Sequence, residues 1–308
     1  MAKKIDSSGR VARNPDGGTY KDAKNFASEV LGPANNQSEI QAAIKKARKA
    51  IRERKDETYK WKKKAIKLMK LIRDVYSSDG YCSLYNKQGE LHFIATFLAS
   101  LLKELFKSHS CQFSLQWGDQ ALQIDKEDKQ RNQKDDERRT PGKIPDAILS
   151  LKDYDLPFSL VEVSGPPNQL NHQHYVGDRI KLAKHLKASL KKIRRTIKSG
   201  DEDLYEDIKL FGIQVYLNKV YVYRLYQVTR GIYVFDTALS FDLACSAGLI
   251  SSFMPRLVKN LWKVKSLFAD SARSVDDYLN SDHGNDSSDD SFDSRDTVNI
   301  SPKKQKMK

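Results

Sequence analysis

Apolar residues recur along the chain with two different periods. From Ser38 to about Tyr76 the period is helical: Trp61, Ala65, Leu68, Ile72 and Val75 fall on one face of a long helix. Ser38 with Gln41 reads as its capping box. Ser77-Ser78-Asp79-Gly80 breaks the pattern, and Glu90 opens a core helix carrying Leu91, Ile94, Leu98, Leu101, Leu102 and Leu105. The period then shortens to two. Gln112 to Trp117 alternates as a first strand, and Pro145-Asp146-Ala147-Ile148-Leu149 and Ser159 to Ser164 read as a pair of strands closed by Gly165-Pro166-Pro167. Helical spacing returns over residues 177–198, opened by Asp178, with Ile180, Ala183, Leu186, Leu190, Ile193 and Ile197 as its apolar stripe. Lys209 to Tyr226 reads as a hairpin turning at Leu217-Asn218-Lys219, and Gly231 to Asp236 as a further strand. Cys245 to about Asn280 reads as a helix that Pro255 kinks or starts.

These elements predict an α/β fold, a central mixed sheet flanked by helices over about residues 77–280, preceded by a long basic helix at 38–76. Residues 1–37, rich in Gly, Asn, Asp, Ser and Lys, read as a loose arm in which Tyr20 and Phe26 are isolated. Residues 281–308 read as a disordered acidic Ser/Asp tail with a basic end, and residues 124–142, almost wholly charged, as a loop or extended hairpin tip.

Charge changes this picture more than composition does. The formal net charge is +14, and between Glu39 and Asp74 fourteen Lys and Arg face five Asp and Glu. Such a surplus points to a polyanionic partner, nucleic acid above all, with a solvated surface as the plain alternative. The helix at 177–198 repeats it: Arg179, Lys181, Lys184, Lys187, Lys191, Lys192, Arg194 and Arg195 fill the faces its apolar stripe leaves. Cys82, Cys111 and Cys245 include no CxxC pair, which argues against a zinc site or a disulfide framework and fits a reducing compartment. No secretory h-region and no membrane-length apolar run are present, so the chain reads as intracellular, with no membrane partner. The terminal Lys303, Lys304 and Lys306 look like a one-part signal for an import receptor and a nuclear location.

Candidate chemistry lies in the paired strands. Asp146 opens one and Glu162 sits inside the other, and acids are depleted from strands, so neither position is explained by packing. Asp146, Glu162 and Ser164 fall where the PD-(D/E)xK nuclease superfamily has its Asp, Glu and Lys. The segment KIPDAILSLKDYDLPFSLVEVSGPP resembles a fungal-type branch of that superfamily in which Glu-x-Ser replaces Glu-x-Lys. The resemblance implies a restriction-endonuclease-like core, laid out as helix, three strands, helix and strand over residues 90–236. It also implies Mg²⁺- or Mn²⁺-dependent hydrolysis of phosphodiesters, DNA ahead of RNA, and a possible homodimer. Asp146 and Glu162 would hold the metal, with the Val163 carbonyl as a third oxygen and Glu90 as a fourth, directly or through water. Ser164 points the right way along the strand but has no charge, so Lys181 or Lys184 from the following helix would reach in to replace the missing lysine. Arg179, Lys187, Lys191, Lys192, Arg194 and Arg195 would hold the phosphate backbone. His172 and His174, with Asp178, leave two readings open, a metal site or the lining of the cleft. Two other functions fit the same residues: a catalytically inactive nucleic-acid-binding descendant, and a scaffold protein that binds a partner through its basic helix.

Overall fold

The computed structural model describes residues 18–32, 34–54, 56–77, 89–107, 113–118, 144–197 and 200–281. The charged stretch 124–142, most of the acidic tail and the terminal lysines Lys303, Lys304 and Lys306 lie outside them. One six-stranded mixed sheet organises the rest: β1 (Phe113–Trp117), β2 (Ala147–Leu151), β3 (Leu156–Val163), β4 (Lys209–Tyr216), β5 (Lys219–Thr229) and β6 (Ile232–Asp242), side by side in that order. All neighbours run antiparallel except β3 and β4, which are parallel. A parallel pair needs a crossover, and a 25-residue helix, His172–Thr196, supplies it.

Eight helices are described. They are α1 (Tyr20–Leu31), α2 (Gln37–Arg54), α3 (Tyr59–Ser77), α4 (Glu90–Phe93), α5 (Ala99–Phe106), α6 (His172–Thr196), α7 (Glu202–Glu206) and α8 (Ile250–Leu279). A π-helical turn, Ile94–Leu98, joins α4 to α5 into one run. Alternation along β4 shows that the sheet is covered on both faces. Gly212 meets Leu182 of α6, whereas the next-door Phe211 lies 5.9 Å, centroid to centroid, from Phe268 of α8. A strand covered on both sides should be apolar throughout, and β2 and most of β3 and β4 are buried at every position. The face under α8 is aromatic: Phe106 touches Phe113 and Phe268, and Phe113 touches Phe158.

Four expectations change. The arm at 1–37 is helical over Tyr20–Leu31, because Thr19 and Asp22 form a capping box and Phe26 packs edge-on against Trp61 at 5.7 Å. Trp262 Nε1–H also donates to the Gly18 carbonyl at 3.1 Å, fixing the approach to α1. The long helix at 38–76 is two helices packed on each other. Thr58 N–H donates to Asp56 Oδ1 at 2.9 Å between them, and this side-chain turn needs neither Gly nor Pro. The cap of α2 is Asn36 with Glu39, not Ser38 with Gln41: Glu39 N–H donates to Asn36 Oδ1 at 2.9 Å and Asn36 Nδ2 donates to Glu39 Oε1 at 2.6 Å. In the apolar stripes, Leu91 is 78 % exposed and Ile180 is 50 % exposed, while Phe93, Phe97 and Leu182 occupy the core instead.

Candidate active site

Glu162 and Lys181 form the centre of the site. Glu162 is 1 % exposed, on the face of β3 that α6 covers, and Lys181 Nζ reaches its Oε2 at 2.7 Å. Asp146, just before β2, is held beside them: its Oδ2 accepts the Val163 N–H at 2.5 Å, and its carbonyl accepts the Gly118 N–H at 2.9 Å. The register fixes what Val163 can offer. Ser164 N–H donates to the Val215 carbonyl on β4, so by alternation the Val163 N–H and C=O both turn to the other edge, toward Asp146. Glu90 comes from the start of α4, where the Gly165 N–H donates to its carboxylate, and Gly165 adopts φ +90° to present that donor.

Helix α6 contributes more than one side chain because it begins earlier than its charge pattern predicts. Asn171 is the N-cap, accepting the His174 N–H at 3.0 Å, so Asp178 lies inside the helix and does not open it. His174, Asp178 and Lys181 therefore stand at i, i+4 and i+7, on one face. His174 Nε2 lies 3.2 Å from Asp178 Oδ2. His172, exposed and 5.8 Å from the Tyr175 ring, points elsewhere, so the two histidines do not act as a pair.

Burial dominates the electrostatics. Desolvation pushes the Glu162 carboxyl up to about 8, against the pull of Lys181 and with a further upward push from Asp146. Desolvation also raises Asp146, while the Val163 N–H and Lys181 act in the other direction. Glu90 is raised by burial first and by the neighbouring Asp146 second. Glu162 Oε1 is buried without a hydrogen-bond partner.

Ser164 does not face the site as a reacting group. It is fully buried, and its Oγ accepts Gln214 Nε2 at 2.7 Å; the same nitrogen donates to the Tyr175 carbonyl at 2.8 Å. Ser164 thus helps anchor the first turn of α6 to the sheet. Lys184, one turn beyond Lys181, is exposed and makes no ion pair among the described residues. Of the bases assigned to phosphate contact, Arg179 lies over the Tyr223 ring at 5.1 Å, Lys187 over Tyr233 at 4.5 Å, and Arg194 pairs with Glu202 at 2.7 Å. Arg195 is exposed, and Lys191 and Lys192 are half-buried. Tyr216 stacks on Tyr175 at 4.7 Å, Tyr221 lies tilted against Tyr175 and stacked on Tyr223, and the Tyr175 and Tyr223 hydroxyls lie 3.0 Å apart, so these rings pack within the sheet.

Gln214 was missed in the sequence, although its signal was of the same kind as that of Glu162. It is a polar residue in the middle of an apolar strand, and it is wholly buried. Among the described residues no three His, Cys, Asp or Glu side chains converge as a ready-made metal centre. Two carboxylates, one with a buried unpartnered oxygen, and a carbonyl turned toward them still fit a hard cation that takes one or two carboxylates and completes its shell with water and phosphate. No helix among the described residues is long and apolar enough to cross a membrane. The chain matches no protein-family model, no curated protein and no solved structure.

Proposed function

We propose that this chain is a Mg²⁺- or Mn²⁺-dependent nuclease of the PD-(D/E)xK kind, with the lysine of the motif supplied from α6 by Lys181. The contact between Lys181 Nζ and Glu162 Oε2 carries the reading. A lysine placed beside the strand acid is what the motif would need once Ser164 has replaced its own. The order α4–α5, β1, β2, β3, α6, β4 supports it, since it is the succession that the restriction-endonuclease-like core calls for.

In this reading Asp146, Glu162 and the Val163 carbonyl would hold the metal, with Glu90 as a further oxygen donor. The bound ion supplies Lewis-acid charge relief and a more acidic water. Lys181, in contact with Glu162 Oε2, would offer its remaining N–H donors to the attacking water. His174, braced by Asp178, lies within the electrostatic reach of Asp146 and Glu90 and is placed to move a proton. Nuclear DNA is the proposed substrate.

One observation favours a second reading. Lys181 already satisfies one oxygen of Glu162, as a purely structural ion pair would, and this suits an inactive nucleic-acid-binding descendant. Calorimetric Mn²⁺ binding beside a plasmid-nicking assay separates the two. In an active enzyme, both binding and nicking are lost in Asp146→Ala/Glu162→Ala. Metal binding without nicking, or salt-sensitive DNA binding alone, selects the descendant. With no metal binding at all, the nuclease reading fails.

A further inference from the structure

The break between α2 and α3 creates a feature that a single long helix would lack. The two helices pack against each other and leave a groove of about 590 Å³ between them. Lys45, Arg48 and Arg52 of α2 line it on one side, and Lys63, Lys67 and Lys70 of α3 on the other. Within each helix the three bases follow one another at spacings of three or four residues, so each row runs about 10 Å along its axis. All six are exposed, and none forms an ion pair among the described residues. The floor between the rows is apolar, with Ile44 and Ile66 buried beneath them.

A second cavity, of about 330 Å³, shares Lys67, Glu104 and Lys107 with the groove and adds Lys64 and Lys265. Lys265 is only 8 % exposed. Burial, and then the charges of Lys265 and Lys67, bring the Lys64 amine down to about 8. Like charges are thus gathered at one place, and among the described lining residues only Asp74 and Glu104 are acids. A solvated face has no reason to gather them in a concavity; a linear polyanion seated there removes the repulsion. Glu104 and Lys107, at the far end of the helical run that begins with Glu90, also line the groove. Fourteen residues of helix put Glu104 about 21 Å from Glu90, too far for one phosphate to serve both places.

We propose that the α2–α3 groove is a nucleic-acid docking site that grips the phosphate backbone, separate from the carboxylate pair. Two facing rows of bases, with few acids and an apolar floor, match the charge and the linear form of a phosphodiester chain. The proposal does not depend on the carboxylates being catalytic.

The test uses the full chain carrying Asp146→Ala/Glu162→Ala, so that cleavage plays no part. Binding of a fluorescent DNA duplex of about two helical turns is followed by anisotropy from about 50 to 200 mM salt. Lys45→Gln, Arg48→Gln, Lys67→Gln and Lys70→Gln are combined in one variant. Lys24→Gln, Lys46→Gln, Lys49→Gln and Lys60→Gln, exposed positions outside the groove, form a control of equal charge. The groove variant should bind at least about tenfold more weakly, with a salt slope shallower by about 3.6, and the control should stay close to the parent. Equal losses in the two variants would mean that net charge alone attracts the duplex, and the proposal fails. It fails too if the parent does not bind the duplex, or if the groove variant loses poly-glutamate binding but keeps the duplex. Circular dichroism checks folding; should the fourfold variant unfold, Lys67→Gln/Lys70→Gln is read instead, with a slope change of about 1.8.

Discussion

Two regions of this molecule handle charge in opposite ways. At the end of β3, an acid and a base are buried together: Glu162 at 1 % exposure with Lys181, flanked by Asp146, Glu90, His174 and Asp178. In the α2–α3 groove, like charges stand exposed on facing helices. A buried pair needs its geometry held within tenths of an ångström, because an unpaired charge there is costly. An exposed row needs only direction, since water screens each member and a flexible partner adapts. The first arrangement is suited to chemistry at one point, the second to holding a long anion in many registers.

The sharpest way to break the buried side is Lys181→Met. It leaves Glu162 without its cation, and nicking is expected to fall by about two to three orders of magnitude. The same change should push the Glu162 carboxyl above about 8, read by carboxyl NMR titration. An unchanged nicking rate removes Lys181 from the reaction.

Gly212→Ala tests how firmly the buried side is positioned. A Cβ there would lie 2.8 Å from Leu182 Cδ1 and 2.9 Å from its Cγ, next to Lys181 in the helix. We expect a loss of about 1–3 kcal/mol in denaturant unfolding, with a further fall in nicking as α6 lifts from β4. Stability lost without any change in nicking would show that the ion pair tolerates the shift.

Stability against pH gives a subtler test. The folded-state value of Glu162 lies above its usual value of 4.5, so the folded chain binds more protons than the unfolded chain between about pH 4.5 and 8. The contribution from this group is therefore full below that window and is lost as pH rises through about 8. In Glu162→Gln the decline across the window should be shallower. Asp146 and Glu90, raised in the same direction, keep part of it. Parallel stability profiles for the two proteins would refute the burial account of Glu162.

The smallest effect belongs to the basic side. Lys265→Met removes one of the two positive neighbours that depress Lys64, so the Lys64 amine should titrate somewhat above its present value of about 8. Adding a DNA duplex to the parent should move it the same way, both read by NMR of the lysine side chains. A Lys64 indifferent to both would separate the small pocket from the groove.

Much of the sheet was legible because alternation and apolar runs report directly on burial. The acids at 146 and 162 stood out because strands rarely carry them, and the structure brings both to one edge with Glu90 and Lys181. The role of Ser164 was not legible. Strand alternation gives its direction correctly, but only the parallel neighbour β4 brings Gln214 to its hydroxyl. The start of α6 was misplaced because Asp178 imitates an N-cap. The true cap, Asn171, lies seven residues earlier, among polar residues that resemble a loop. That difference decides the site, since only a helix running from His172 sets His174, Asp178 and Lys181 on one face.

The sequence by itself determined the α/β class, the flanking helices, the two strand acids and the basic surplus. Each of these follows from the period or the residue type of a local stretch, and local stretches carry that information. The tertiary structure alone decided which lysine meets Glu162, which serine and glutamine secure α6, and that the basic helix folds into a hairpin with a groove. These depend on strand order, on the close approach permitted by Gly212, and on a two-residue side-chain turn at Asp56 and Thr58. Pairings between residues far apart in the chain are set by packing, and no period along the chain records them.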